Sequence, residues 1–547
     1  MFNRRTMLAH AAAAALIVPR AGAAADGSSL EPPVASTNSG RVAGRRVDGI
    51  CMFKGIPYGA STAGSGRFKP PRAPEAWGGV LKTVDDPPQA PQHDPGKPRR
   101  PHSDSPYEGI EPDWTQVPES EDCLKLNVWT PGLEGRKRPV MVWFHGGGFA
   151  VGSAAGQWQD GGRLCRRGDV VVVSVNHRLN VLGYLYVDLL NAAFAGAGNA
   201  GLLDLVLALK WVQENIARFG GDPQNVTIFG QSGGGQKVSM LLAMPAASGL
   251  FQKAIVQSGP APRALEPHYA ADMVRRLLAK LEIGTGEVER LQQVALDRIM
   301  SAYYSVFRET GGYGVLGILQ GFAPVVDGKW LPQHPFDPEA PVVSADVPLM
   351  IGTTRTEMTL GALLEDPAAD RMSESSLRDR LAGLFGNDTQ RVLDAYRASH
   401  PGFSPWELYA VITSDWPTRL YSIWIAERKA RLRRAPVFMY RTDWCTPVAE
   451  GKLMAPHAID IGFVLDDTPY TRSFDGGGRG AAQMTRSMSG AWLEFARHGN
   501  PNNGSLPRWP AYEPERRSTL LFDTPCRVVD DPDGADRRIL DNLLAKR

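Results

Sequence analysis

A short apolar run that ends in a glycine-flanked serine constrains this chain most. Residues 226–229 are apolar or β-branched, and residues 237–244 are apolar enough to form a buried helix; between them lies Gly230-Gln231-Ser232-Gly233-Gly234. A serine on a sharp strand-to-helix turn needs small neighbours, because flanking side chains would collide. The G-x-S-x-G pattern alone is a weak signal, but a strand before it strengthens it. The segment predicts that Ser232 is a nucleophile projecting above a sheet.

Further apolar runs predict the sheet that carries this turn. Residues 140–144 and 169–175 are continuous apolar runs of the kind found in buried parallel strands, and residues 201–219 show helical spacing before a Gly-Gly-Asp-Pro stop. Shorter strand candidates follow at 254–257, 347–351 and 437–440. Their spacing leaves room for crossover helices, so we expect an α/β fold with a mostly parallel sheet and helices on both faces.

A glycine run follows the first of these strands, in the order His145-Gly146-Gly147-Gly148-Phe149. Consecutive glycines let backbone N–H groups turn toward one point, as a tetrahedral oxyanion requires. We expect Gly147, Gly148 and Gly233 to form an oxyanion hole. Glycine-rich turns after strands also bind phosphates, but residues 145–149 fit neither the dinucleotide nor the lysine-bearing phosphate motif.

Composition narrows the function classes. The 547 residues hold 60 Lys and Arg against 58 Asp and Glu, which gives no basic field suited to nucleic acid. Five scattered cysteines form no C-x-x-C pair, which argues against a zinc site or a disulfide scaffold. Serine nucleophile chemistry requires neither a metal nor an organic cofactor.

The first 25 residues have the pattern of an export signal. Arg4 and Arg5 precede a short apolar run at 11–18, and small residues follow Arg20. A membrane span needs about 20 apolar residues, roughly twice this run, so an N-terminal anchor is the weaker alternative. We expect residues 1–25 to be a twin-arginine signal cleaved after Ala23 or Ala25, and no later segment to cross a bilayer. Residues 26–547 would then form a single catalytic domain, exported to the periplasm or secreted.

Residues 86–119 contain nine prolines together with several basic residues. Long loops of this kind inside a compact unit are either functional lids or solvated surface loops, and the sequence leaves both open.

Several motifs in order resemble the type B carboxylesterase family of α/β-hydrolases. They are the segments at 53–58, 120–128, 145–149, 199–223 and 230–234, continuing through 492–496 and 509–510. The resemblance covers nearly the whole chain after the signal. It implies an α/β-hydrolase fold with loop and helical insertions that form a gorge, and hydrolysis of small-molecule esters through an acyl-enzyme.

The resemblance also implies the partners of Ser232. In this fold the acid and then the base follow the nucleophile along the chain. His457 follows a predicted strand and precedes an apolar segment, as in the family's histidine motif. Glu357 matches the family's G-x-N-x-x-E element, although Thr354 and Met358 replace its usual asparagine and glycine. Asp346 or Asp460 is the alternative acid.

The positions around this triad carry weaker predictions. The resemblance implies that Asp460 supports the histidine loop, and Ser258 and Gln231 are further supporting candidates. Two residues depart from the family: Gln231 replaces a glutamate and Gly233 replaces an alanine. The lost negative charge disfavours choline esters and permits neutral or anionic ones.

Other questions stay open at the level of sequence. An amidase or carbamate hydrolase would use the same triad, and a non-catalytic adhesion module is a remote alternative that typically lacks a triad residue. We expect a monomer.

The family often pairs the cysteine at position 123 with an upstream one, but Ala90 occupies the partner position here. We therefore expect Cys123 to be a free, buried thiol, with Cys51 as the alternative partner.

Overall fold

The computed structural model describes residues 31–97, 105–110, 117–311 and 318–544. The strands are β1 Val34–Ser36, β2 Arg41–Ala43, β3 Arg45–Val47, β4 Ile50–Pro57, β5 Val80–Lys82, β6 Lys125–Thr130, β7 Arg138–Phe144, β8 Val171–Val175, β9 Gly221–Gln231, β10 Lys253–Gln257, β11 Leu349–Thr354, β12 Val437–Thr442, β13 Ser518–Phe522 and β14 Arg527–Asp530. The α-helices are α1 Gly162–Gly168, α2 Asn180–Tyr184, α3 Ala200–Asn215, α4 Gly233–Leu241, α5 Pro267–Leu281, α6 Leu296–Glu309, α7 Thr359–Glu365, α8 Glu374–Phe385, α9 Thr389–Ser399, α10 Pro405–Ser414, α11 Leu420–Arg431, α12 Ile459–Leu465, α13 Arg472–Asp475, α14 Gly478–His498 and α15 Gly534–Leu544.

Eleven of these strands form one sheet, in the order β14-β13-β12-β11-β10-β9-β7-β8-β6-β4-β3. The seven strands from β13 to β8 run parallel, whereas β14 at one edge and β6, β4 and β3 at the other each pair antiparallel with their neighbours. The predicted mostly parallel sheet is confirmed. β9 lies between β7 and β10, so the serine turn emerges near the centre of the sheet.

Alternate residues of the central strands belong to different apolar clusters. On β7, Val140 and Val142 pack into one cluster, whereas Met141 and Trp143 pack into another on the opposite face. Burial on both faces explains why these strands are continuous apolar runs in the sequence. β9 is longer than predicted because its first residue, Gly221, already pairs with Arg138 of β7.

The described residues from Pro33 onward form one compact unit. Residues 1–30, which contain the predicted export signal, lie outside the described residues. One helical stretch, Ala192–Phe219, is long and apolar enough to span a membrane, contrary to the expectation that no later segment would be, but most of it is buried inside the protein.

The long loop at 86–119 is described only in part, since residues 98–104 and 111–116 fall outside the described ranges. Its beginning is fixed by Gln92, whose side chain accepts a hydrogen bond from the N–H of Gly152 at 2.7 Å and donates one to the Gly152 carbonyl at 3.1 Å. Asp94 pairs with Arg308 at 2.8 Å. Whether the loop acts as a lid stays a prediction.

A buried ion pair joins the end of β8 to α3. The guanidinium of Arg178 donates to both carboxylate oxygens of Asp204, at 2.6 and 2.9 Å, and the two side chains are 2% and 0% exposed. Arg178 also donates to the carbonyl of Lys69 at 2.7 Å. The pair therefore links three separate segments of the chain.

Asp204→Asn is expected to lower the free energy of unfolding by about 3–5 kcal/mol, because it leaves the Arg178 guanidinium buried without a countercharge. Urea denaturation measures the change. Asp346→Asn is the matched control, since Asp346 pairs with Arg434 at 2.7 Å but both side chains are largely exposed. Equal losses in the two variants would contradict the prediction.

Candidate active site

The carboxyl ends of five neighbouring parallel strands meet at one edge of the sheet. β7 leads into the glycine run that begins at His145, β9 into Ser232, β10 into Ser258, β11 toward Glu357 and β12 toward His457. Parallel strands place such ends on the same side, where ligands of open α/β sheets bind.

The turn after β9 holds Ser232 in an unusual backbone conformation, with φ +57° and ψ −125°. The Ser232 N–H donates to the carbonyl of Gln257 on β10 at 2.8 Å, which fixes the turn against the neighbouring strand. A side chain at Gly230 could not fit, because its Cβ would lie 2.6 Å from the carbonyl carbon of Gly234. The helix α4 then begins at Gly233 and directs its positive end toward this turn.

His457 and Glu357 form a hydrogen-bonded pair. The Nδ1 atom of His457 lies 2.5 Å from Oε2 of Glu357, and the N–H of Thr354 donates to Oε1 of the same carboxylate at 2.8 Å. The His457 backbone N–H also donates to the Glu357 carbonyl at 3.3 Å. Glu357 is fully buried, whereas the His457 side chain is 22% exposed. An Nδ1–H that donates to the carboxylate leaves Nε2 as the acceptor in the neutral ring.

Gln231, directly before the serine, contacts that acceptor. Its side-chain amide nitrogen lies 3.1 Å from Nε2 of His457. The contact agrees with the same ring tautomer, because an amide N–H can donate only to an unprotonated ring nitrogen. The supporting role predicted for Gln231 is therefore a direct contact with the histidine.

Each carbonyl group of the glycine run after β7, from His145 to Gly148, accepts a hydrogen bond. The Gly146 carbonyl accepts from Nδ1 of His145 at 2.9 Å, and the Gly147 carbonyl accepts from the N–H groups of Ala150 and Val151. The His145 and Gly148 carbonyls accept from the amino group of Lys237 at 3.0 and 2.9 Å. The N–H groups of Gly147 and Gly148 make no hydrogen bond within the described parts of the chain, and both residues have positive φ, +83° and +61°.

Gly148 and Gly233 are in direct contact. A Cβ placed on Gly233 would lie 2.2 Å from the Gly148 carbonyl oxygen and 2.4 Å from its nitrogen. Glycine at position 233 is thus a packing requirement in this protein. The structure brings two of the three predicted oxyanion residues together, and Gly147 is the chain neighbour of Gly148.

Asp460 lies close to the triad, three residues after His457. Its carboxylate accepts from Nε2 of Gln257 at 2.9 Å and from the Tyr440 hydroxyl at 3.4 Å, so it joins α12 to β10 and β12 and does not hold the histidine loop by a hydrogen bond. Burial, with the nearby Glu357 charge adding to it, raises the pKa of Asp460 to about 6. Nδ1 of His457 bonds Glu357 and not Asp460, and the other alternative acid, Asp346, pairs with Arg434 on the surface.

Ser258 follows Gln257 and is fully buried, with φ +47°. Its N–H donates to the Gly352 carbonyl at 2.8 Å, which ties the end of β10 to β11. Its hydroxyl has no hydrogen-bond partner among the described residues. Ser258 therefore contributes to the strand ends beneath the triad and makes no hydrogen bond to His457.

Two residues of the site were missed by sequence reasoning. Lys237 belongs to the predicted apolar helix, but the sequence does not predict that it donates to the glycine run. A lysine within an apolar helix directly after the nucleophile is the one local signal of such a role. Gln257, which accepts from the Ser232 N–H and donates to Asp460, gave no signal, because its partners depend on strand register.

The described cysteines are all free thiols, and Cys51 and Cys123 are both buried. Burial raises the pKa of Cys123 to about 12, so its thiol is protonated and unreactive at neutral pH.

Within the described ranges one cluster is spaced to hold a metal, formed by His400, Asp533 and Asp536. Asp533 already pairs with Arg441, and the cluster shares no residue with the site.

Three features define a serine hydrolase of the α/β-hydrolase class: a serine on a strand-to-helix turn, a histidine–carboxylate pair on loops that follow later strands, and a glycine run with free N–H groups. A sequence profile of the carboxylesterase family matches residues 31–537, and the chain belongs to this family.

Individual relatives agree over nearly the full length. The chain is 35% identical to the para-nitrobenzyl esterase of Bacillus subtilis strain 168 over 517 residues, which cover 93% of this chain and 98% of that one. It is 32% identical to the phenmedipham hydrolase of Pseudarthrobacter oxydans over 497 residues, covering 89% and 94%. The crystal structure at pH 6.2 of carboxylesterase EST55 from Geobacillus stearothermophilus superposes with a TM-score of 0.77 at 37% identity, covering 92% of this chain and 99% of that one.

The resemblance predicted from the motifs is confirmed, and the protein is a carboxylic ester hydrolase that acts on small esters. The amidase alternative is not better supported by these relatives.

Proposed function

We propose that Ser232 is the nucleophile, His457 the general base and Glu357 the acid that orients the base, with the N–H groups of Gly147, Gly148 and Gly233 as the oxyanion hole. The observation that carries this assignment is the Glu357–His457 hydrogen bond, which leaves Nε2 as an acceptor on the side of the Gln231-Ser232 turn. A serine needs such an acceptor because its hydroxyl is a poor nucleophile while protonated.

The reaction then follows from these positions. The Ser232 hydroxyl attacks the ester carbonyl while its proton passes to Nε2 of His457, and the backbone N–H groups stabilise the oxyanion. The imidazolium, stabilised by Glu357, returns its proton to the leaving alcohol. Water, activated by the same base, hydrolyses the acyl-enzyme. Because Gln231 donates to Nε2 in the resting site, its amide must leave that atom before the hydroxyl can use it.

Ser232→Ala is expected to abolish ester hydrolysis, and Glu357→Gln is expected to lower kcat on the order of 10³–10⁴-fold, because it loses the tautomer that the carboxylate fixes. Steady-state kinetics on a series of esters and matched amides measure both, with circular dichroism as the check on folding. Turnover by Ser232→Ala at a substantial fraction of the parent rate would refute the assignment. Amide turnover comparable to ester turnover would favour the amidase alternative.

The residue before the nucleophile bears on which esters are preferred. Gln231 places a neutral amide against the histidine, whereas a glutamate there would add a negative charge that attracts cationic substrates. We infer a preference for neutral or anionic esters over cationic ones such as choline esters.

Gln231→Glu is expected to raise kcat/KM for a cationic ester relative to a matched neutral one. It should also move the acid limb of the pH profile to higher pH, because a carboxylate beside His457 stabilises the protonated ring, which cannot act as a base. Rates for isosteric cationic, neutral and anionic esters between pH 5 and 8 test both effects. A parent enzyme that already prefers the cation would sink the substrate inference.

We also propose that the protein is exported through its twin-arginine signal and acts in the periplasm or outside the cell as a monomer without membrane insertion. Arg4, Arg5, the short apolar run and the small residues after Arg20 support export. A single chain supplies every residue of the proposed site, which supports a monomer.

Replacing both Arg4 and Arg5 by lysine is expected to retain the protein and its esterase activity in the cytoplasm. Cell fractionation with N-terminal sequencing of the exported form measures this, and light scattering on that form should give one chain per particle. Export undiminished in the double variant would contradict the signal assignment.

A further inference from the structure

Lys237 carries a buried amino group directly behind the glycine run. It lies on α4, five residues after Ser232, and is 0% exposed. Its Nζ donates to the carbonyls of His145 and Gly148 at 3.0 and 2.9 Å and lies 5.6 Å from the centre of the Phe149 ring. No carboxylate pairs with it in the described ranges of the chain.

A lysine in this position is not explained by stability. Moving an ammonium group out of water without a countercharge is expensive, and an apolar side chain of similar length would avoid that cost. Burial lowers the pKa of Lys237 to about 7, which shows how strongly the surroundings oppose the charge. A residue kept at such a cost beside the nucleophile is a candidate for a role in the reaction.

We propose that Lys237 is a positioning residue whose ammonium group clips both ends of the oxyanion loop, residues 145–148, to α4 and so holds the peptide units between them, with the Gly147 and Gly148 N–H groups, toward Ser232. The inference rests on the proposed function, which assigns the oxyanion hole to these glycines. Two of the four carbonyls of residues 145–148 bond within the loop, and among the described residues Lys237 is the one donor to the other two. Each planar peptide unit joins a carbonyl to the N–H of the next residue, so Lys237 fixes the His145–Gly146 and Gly148–Phe149 units. The two units between them carry the N–H groups of Gly147 and Gly148, and their own carbonyls bond within the loop.

Gly233 completes the arrangement. Lys237 draws the Gly148 carbonyl toward α4, and the absence of a side chain at position 233 leaves the space that this carbonyl occupies, 2.2 Å from where a Cβ would lie. The Lys237 hydrogen bond and the missing side chain at Gly233 thus both fix the position of the Gly148 carbonyl.

The groups that face Lys237 leave it to titrate alone near neutral pH. Burial keeps the pKa of His145 and of His177 well below the usual value, and the charge of Lys237 lowers both further. On the neighbouring helix α3, Asp204 is engaged by Arg178. Below about pH 7 the clip is an ammonium; above it, the clip is a neutral amine, which is a weaker donor and carries no charge toward the oxyanion.

Lys237→Met removes the donors and the charge while keeping the length of the side chain. We expect kcat at pH 6.5 to fall on the order of tenfold to a hundredfold, with KM little changed, since the loss falls on transition-state geometry. In the parent, kcat should decline severalfold from pH 7 to 9, and this decline should be absent in the variant.

Lys429→Met is the matched control. Lys429 is also buried, donates to two carbonyls, those of Ser344 and Ala345, and has a pKa lowered to about 8 by burial, but it lies on α11 and touches none of the site residues. Its kcat and pH profile should match the parent. A merely structural effect of losing a buried lysine would appear equally in both variants.

The outcomes separate the inference from the function on which it rests. The positioning role of Lys237 is refuted if kcat in Lys237→Met equals that of the parent, or if the parent kcat is constant from pH 7 to 9. Either result leaves the esterase assignment intact. Activity in Ser232→Ala overturns the assignment itself. Should the methionine variant fail to fold, Lys237→Gln, which keeps an uncharged amide donor group, is measured in its place, and parent-like kcat there also refutes a role for the ammonium.

Discussion

The backbone conformation of Ser232 is the constraint on which the rest of the site depends. A non-glycine residue at φ +57° and ψ −125° costs on the order of 1–3 kcal/mol and persists only where its surroundings allow no alternative. Here Gly230 and Gly234 pack against each other, the Ser232 N–H bonds β10, and Gly259 lies so close that its Cβ would come within 2.0 Å of the Ser232 carbonyl oxygen. The turn is therefore held by β9, β10 and α4 together, and the parallel order of the strands brings the other groups to it.

What could be predicted from sequence has a physical explanation. Strands such as β7 and β8 are buried on both faces, and this leaves a continuous apolar run that needs no knowledge of the partners. The serine turn and the glycine run are also local, because each motif exists to satisfy its own backbone. Glu357 and His457 meet across 100 residues, and the resemblance to a family, not periodicity, predicted that they would pair.

Other contacts of the site could not be predicted, for a different reason. The support that Asp460 was expected to give the histidine loop stays a prediction, and its hydrogen-bond partners are Gln257 and Tyr440, which only the alignment of β10 and β12 beside β11 brings within reach. The same reason applies to Lys237. Its apolar helix correctly predicts burial, but the carbonyls that accept hydrogen bonds from its amino group belong to a turn almost a hundred residues earlier. Side-chain hydrogen bonds between distant segments depend on how the strands are aligned in the sheet, and no single segment determines that alignment.

The charges around the site are arranged asymmetrically. On the side of the oxyanion loop lie the N-terminus of α4 and the Lys237 amino group, both of which favour a developing negative charge. On the side of the base, Glu357 favours a developing positive charge on His457. Between them Gln231 is neutral, so the residue before the nucleophile places no carboxylate against the oxyanion. Charge separation during attack on the ester is thus matched by fixed groups of opposite sign on each side, and a glutamate at position 231 would weaken that match on the oxyanion side while strengthening it at the histidine.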